Sequence, residues 1–264
     1  MGQSYAFSRA YGARRLEKGA CLGAGGGWPR RGGGAPPCFF LWGRINDNLE
    51  AVARLLYDYW FVQFDFPDVE GRPYRTSGGE MVWNEGLKRE IPKGWSACTL
   101  GDILTIKNGR DHKLFKDGLY PVYGSGGEMR RITNYLYSGE SVLMPRKGSL
   151  NNVMYVNEAF WTVDTMFYSE MKFKHYAKYV FFSIRDIDFK RWDSGTGVPS
   201  MTSSTQYSIK IVKPQSEILE MYDELISPLY GQKKQIINQN RELTTLRSKL
   251  LPLLMNGQAT IKAD

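Results

Sequence analysis

Residues 45–67 read INDNLEAVARLLYDYWFVQFDFP, and two patterns meet in that stretch. Ile45, Leu49, Val52, Leu56 and Tyr59 are spaced 4, 3, 4 and 3 apart. That rhythm draws one apolar seam along an α-helix, and the seam needs a second helix to cover it. From Leu56 the chain becomes densely aromatic, and Pro67, lacking an amide hydrogen, ends the helix. The spacing therefore predicts a central helix over 45–66 whose last turns plug into a core.

The chain supplies one matching helix, over 215–257. There Leu229, Ile236, Leu243 and Leu250 recur every seven residues. Leu225, Leu246 and Leu253 fall between them, and Gln232 and Gln239 take the remaining seam positions. The 39 residues from Glu217 to Met255, at 1.5 Å each, predict a rod of roughly 58 Å. Pro228 and Pro252 predict a kink or late start and a frayed end, and Asn256-Gly257 a stop, with 258–264 as a tail.

Between the helices the periodicity changes. Gly71, Pro73, Gly78 and Gly79 mark a linker over 67–90. From Ile91 to Pro214 short β-rich runs at 103–106, 120–123, 141–144, 152–156, 165–169 and 207–212 alternate with glycine-rich turns. One helical stretch, about 175–190, interrupts them. The prediction is an α+β class: one mixed α/β domain over 91–214, flanked by long helices forming a coiled-coil spacer.

Charge follows the same divisions. The formal net charge of the 264 residues is +8. Counted along the sequence, 1–44 carry +6, 45–87 carry −5, 88–214 carry +7 and 215–264 are neutral. A basic middle domain between less basic helices suits a polyanionic partner. Residues 1–44 hold 11 of the 28 glycines and bury too little to repay their ordering entropy. They read either as an RGG-like tail or as a disordered or non-native extension.

Several functions find no support. No G-x-x-x-x-G-K-[ST] phosphate loop occurs, nor the Asn-Pro-Pro-aromatic motif of adenine methyltransferases. The two histidines, His112 and His175, are too far apart for a zinc helix, and no cofactor or metal is expected. Cys21, Cys38 and Cys98 fit neither a disulfide framework nor a metal knuckle, which suits a reducing cytoplasm. No apolar run approaches the roughly 18 residues that cross a bilayer, so no membrane partner is expected. Asp164 with Glu170 and Lys172 resembles the acidic and E-x-K elements of a metal-dependent nuclease. Solvated strand positions explain the same residues.

Three loops of the basic domain carry what a DNA reader needs. Arg110, His112 and Lys113 follow an Asn-Gly turn. Tyr123 and Ser125 sit where a strand enters the glycine-rich loop Gly124-Ser-Gly-Gly127. Arg146, Lys147, Ser149 and Asn151 follow another strand. Cations anchor phosphates or fork onto guanine, and amides and hydroxyls read base edges.

At this point a family resemblance appears. Leu56-Tyr-Asp-Tyr-Trp-Phe-Val-Gln-Phe-Asp-Phe-Pro67 is similar to the central conserved region of Type I restriction–modification specificity subunits. Ile91-Pro-Lys-Gly-Trp95 with Leu100-Gly-Asp102 resembles the opening of their target recognition domain. Tyr120–Gly127, Val142–Gly148 and Gly195-Thr-Gly-Val-Pro-Ser200 follow in the expected order. Leu246-Arg-Ser-Lys-Leu-Leu-Pro-Leu-Leu-Met-Asn-Gly257 resembles the distal conserved region. The resemblance covers roughly 45–262 and corresponds to the C-terminal half of such a subunit.

It implies a non-catalytic subunit that binds double-stranded DNA and directs methyltransferase and nuclease–translocase subunits. Leu49, Val52, Leu56, Leu229, Ile236, Leu243, Leu246 and Leu250 would form the seam for those partners or for a homodimer. The family's first recognition domain has no counterpart here, so a truncated or half-length subunit is expected. The rivals are a gene remnant, a recombination cassette and a stand-alone nuclease.

Overall fold

The computed structural model describes residues 37–192 and 199–258. The expectations for residues 1–36, for most of Gly195–Ser200 and for the tail beyond 258 lie outside the described residues. Helix α1 spans Pro37–Tyr57, so helix begins eight residues before the seam that signals it. It does not run on to 66. After Tyr57 the chain makes one π-helical turn, Asp58–Val62, and leaves the helix before Pro67. The turn carries Trp60 and Phe61 into the core, with Tyr57 and Tyr59 partly buried beside them. Phe61 lies 4.7 Å from Tyr179 and 4.9 Å from Tyr222, and Phe66 stacks on Trp95 at 4.8 Å between centroids.

Residues 67–90 are no open linker. Tyr74 stacks on Phe66, and the hairpin β1 (Met81–Asn84) and β2 (Arg89–Pro92) follows. Asp65 ties the segment down by accepting the amide and hydroxyl of Thr76 at 2.8 and 2.7 Å. Strand β3 (Ser96–Thr99) leads into the short helix α2 (Leu100–Ile103). Asp102 closes that helix start by accepting the Thr99 amide at 2.7 Å, a capping box.

The central sheet has six strands: β4 (Leu104–Asn108), β5 (Asp117–Gly124), β6 (Gly127–Ile132), β7 (Tyr137–Pro145), β8 (Met154–Thr162) and β9 (Met166–Met171). Their order is β4-β9-β7-β8-β5-β6, antiparallel except for the β5–β8 pair. Strand β7 divides between two neighbours. Its first part pairs with β8, and at Met144 and Pro145 it pairs with β9. Where the partners change, two buried serines take over the ladder. Ser141 Oγ donates to the Ser169 carbonyl at 2.7 Å, and the Val142 amide donates to Ser169 Oγ at 2.9 Å.

Helix α3 (Tyr176–Ile184) is shorter than the expected 175–190, and a 3-10 turn, Phe189–Trp192, follows. Helix α4 (Ser203–Tyr207) occupies the start of what reads as a strand from 207. The strand there is β10 (Lys210–Lys213), and it pairs antiparallel with β3. This pairing brings the two ends of the domain together, so the flanking helices leave it side by side.

Helix α5 (Ser216–Met255) continues through Pro228 without a break, and amides of Gly257 and Gln258 close its end on Leu254 and Leu253 carbonyls. Its first four turns carry the burial: Ile218, Leu219, Tyr222 and Ile226 enter the aromatic core, and α1 packs against it. Leu49, Leu56, Leu229 and Ile236 are partly covered. Val52 points outward at 47% exposure, because Ala53, not read as a seam position, is the α1 residue turned inward. Leu243, Leu246 and Leu250 are exposed. The expected seam is thus covered near the domain and bare at the distal end. No described helix is long and apolar enough to cross a membrane.

Candidate nucleic-acid interface

The predicted loops converge on the turn that joins β8 to β9. Gly109 is fitted there by shape: a Cβ would lie 2.0 Å from the Val163 carbonyl oxygen. The close approach lets the Arg110 amide donate to Thr162 O at 2.8 Å and the Trp161 indole to Arg110 O at 2.8 Å. From the same turn the Val163 amide donates to Tyr123 O at 3.0 Å, and Thr165 O accepts the Arg146 amide at 2.9 Å. Three loops distant in sequence are therefore pinned to one turn by backbone bonds.

The second and third loops also touch directly. Asn152 Nδ2 donates to Ser125 O at 2.8 Å. Gly148 has φ +85°, and a Cβ on it would lie 3.0 Å from Ser125 Oγ, so a side chain there would be both strained and crowded. A fourth segment pairs with this loop: Met201 donates to Arg146 O and Gly148 to Pro199 O, at 2.8 and 3.0 Å.

Arg110, Lys113, Arg146 and Lys147 form no ion pair among the described residues, a condition they share with exposed cations elsewhere such as Arg75, Lys88 and Lys249; Arg54, Arg130, Arg131, Lys178, Arg185, Lys233 and Arg241 are paired. Arg146 lies 5.7 Å from the Phe167 ring centre and reaches Asp164 O at 3.5 Å, contacts that aim it without neutralising it. The nearest acid in sequence, Asp111, is committed locally: its carboxylate accepts the Lys113 amide at 3.0 Å, which holds its pKa below the usual range. Lys113, Lys147 and Ser149 are exposed, and His112 is half-exposed.

Two candidates stand apart. The Tyr123 side chain turns to the other side of β5, where its hydroxyl donates to Glu158 at 3.1 Å. Burial beside Glu158 pushes its pKa well up, and it lines a cavity of about 330 Å³ facing α5. Strand alternation explains this placement: Val122 takes the inward place beside Ile132 and Trp161, leaving Tyr123 the opposite face. Asn151 is already occupied, donating to Asp188 at 3.2 Å and accepting the Phe189 amide at 3.1 Å. Its neighbour Asn152, not singled out from the sequence, is the one joined to the loop cluster.

The nuclease-like residues are not assembled. Asp164 lies exposed in the β8–β9 turn, Glu170 sits 4.0 Å from Lys107, and the Lys172 ammonium is tied to Gly101 O at 2.5 Å. Among the described residues no group of three His, Cys, Asp or Glu could hold a metal. Cys98 is half-buried, and burial pushes its thiol up to about 11.

A mixed α/β domain with cation-bearing loops at one turn, mounted on two helices, defines the architectural class. The chain belongs to the Type I restriction modification DNA specificity domain family, whose sequence model matches residues 92–239. It is 27% identical over 248 residues to the Type I restriction enzyme MjaIX specificity subunit of Methanocaldococcus jannaschii, covering 82% of this chain and 54% of that protein. In fold it is similar to the crystal structure of the Type-I restriction-modification system S subunit from M. genitalium. There the TM-score is 0.54 at 18% identity, covering 81% of this chain and 57% of that one. The chain thus spans about half the length of the relatives it matches.

Proposed function

We propose that this chain acts as part of a DNA-binding specificity subunit, non-catalytic itself, which directs methyltransferase and nuclease–translocase subunits in the cytoplasm. The observation that carries the reading is the convergence of Arg110, Lys113, Arg146 and Lys147, unpaired among the described residues, on one turn of a family-matched domain. Phosphates would take the cations, while Ser125 and Ser149, on the same loops, would meet base edges. Helices α1 and α5 would serve as the docking scaffold. The bare apolar edge at Leu243, Leu246 and Leu250 would be covered by a partner subunit or a second copy.

Binding of the full chain to duplex DNA tests this. Affinity should fall steeply with salt, since each neutralised phosphate releases counterions. Removing two phosphate contacts in Arg146→Ala/Lys147→Ala should flatten the log–log slope by about 2. A double variant with unchanged affinity and slope would refute the interface.

A further inference from the structure

The loop from Gly109 to Lys116 is a built device with an apolar tip. Both of its feet are fixed. On one side lie the Arg110 bonds to Thr162 and Trp161 described above. On the other, Phe115 packs edge-on against Trp161 at 4.9 Å, Phe115 O accepts Arg130 Nη2 at 3.0 Å, and Lys116 O accepts the Thr133 amide at 3.1 Å. Between the feet, Asp111 caps the Lys113 amide, and the Phe115 amide closes a tight turn on His112 O at 3.2 Å. Leu114 occupies the third position of that turn and is 96% exposed. The turn needs no positive φ at this position and so accepts a side chain of any kind. Here a leucine stands between Lys113 and Lys116, a few residues from Arg110.

A lone exposed leucine carries no meaning by itself. This one differs because its neighbours Phe115 and Trp161 are packed below it, so the turn cannot fold Leu114 inward without unmaking its own anchor. We propose that Leu114 is a specificity-determining residue that seats its apolar side chain on the bases of the duplex, while Lys113, Lys116 and Arg110 hold the flanking phosphates. Duplex DNA offers two apolar surfaces of this kind: the thymine methyl in the major groove and the face of a base at an unstacked step. The inference rests on the DNA-binding reading above and adds to it a contact that charge alone does not supply.

The test uses the full 264-residue chain and duplexes selected by it from a random pool, with scrambled duplexes as reference. Leu114→Ala should lose about 10-fold in affinity for selected duplexes, within the range of a single base contact. It should lose less than about 2-fold on scrambled ones and keep its salt slope, because no phosphate contact is removed. Leu114→Met should retain most of the discrimination. Uracil in place of thymine separates the two surfaces: if the methyl is read, uracil weakens the parent and leaves Leu114→Ala unaffected. If a step is unstacked, 2-aminopurine placed there brightens with the parent and stays quenched with Leu114→Ala.

A Leu114→Ala chain that matches the parent on both duplex sets overturns the inference. So does equal loss on both sets with a changed slope. If Arg146→Ala/Lys147→Ala is impaired while Leu114→Ala is not, only the leucine assignment falls. A parent chain that binds no duplex sinks both readings.

Discussion

Lys178 is the cation whose removal should be felt most. Its side chain is 3% exposed, and its ammonium lies 2.6 Å from Glu140 Oε1 and 2.7 Å from Asp223 Oδ1. Glu140 also accepts the Tyr155 hydroxyl at 2.5 Å, and Asp223 faces His175 Nδ1 at 2.9 Å. The group therefore joins α3, β7, β8 and α5 around one buried charge. Lys178→Met keeps the aliphatic stem and its packing but leaves two carboxylates facing each other without a cation. Breaking a buried pair from one side costs about 3–5 kcal/mol, mostly through the charge left behind. Glu140 and Asp223 keep 31% and 14% side-chain exposure, so water relieves part of it and the low end, about 3 kcal/mol, applies.

For a chain of this size that corresponds to a melting temperature about 6–12 °C lower. Asp223→Asn retains a hydrogen-bonding oxygen and leaves Lys178 paired with Glu140, so it should cost only about 1 kcal/mol. Thermal unfolding followed by circular dichroism measures both variants, and the double variant gives their coupling. A Lys178→Met chain melting within 1 °C (roughly a few tenths of a kcal/mol) of the parent would falsify the reasoning. It would mean that the lysine leaves as much unfavourable desolvation behind as favourable pairing.

Three further outcomes are expected. Ser169→Ala orphans the Val142 amide at the point where β7 changes neighbours, and should cost about 2 kcal/mol by urea titration; an unchanged midpoint would show that the backbone ladder closes without the serines. Gly109→Ala sets a methyl 2.0 Å from a carbonyl oxygen that cannot swing away, so the loop must shift. About 1–3 kcal/mol of stability and most duplex binding should be lost together, and full retention of binding would separate this loop from the interface. In sedimentation at micromolar concentration the parent should associate and Leu243→Glu should shift toward monomer; a parent already monomeric would leave the bare edge of α5 to a different protein.

Some of this protein was decided by local sequence. The seam of α5 and its stop at Asn256-Gly257 follow from seven-residue spacing and turn chemistry, which need no knowledge of the rest of the chain; its unbroken run through Pro228, where a kink or late start is expected, does not. The separation of a basic mixed domain from its flanking helices follows from periodicity and charge. The loop cations were also legible, because glycine turns with Arg and Lys beside them are local features.

What the tertiary structure decided are the facts that depend on who lies opposite. The charged run Gly127–Ile132 has no alternating pattern, and it is a strand only because β5 folds back on it. Residues 81–92 form a hairpin directly after Gly78-Gly79, where the turn residues of 71–79 make the stretch read as linker. The sequence numbers of Asn151 and Asn152 are equivalent, yet one amide is held by the 3-10 turn at Phe189 and the other by Ser125. Tyr123 could not be placed on a face until the β5–β8 register was fixed, since one residue of slip turns every side chain over. The buried Lys178 looked from the sequence like any lysine on a helix. Its partners Glu140 and Asp223 are 38 and 45 residues away, and only packing α3 and α5 against β7 brings them together.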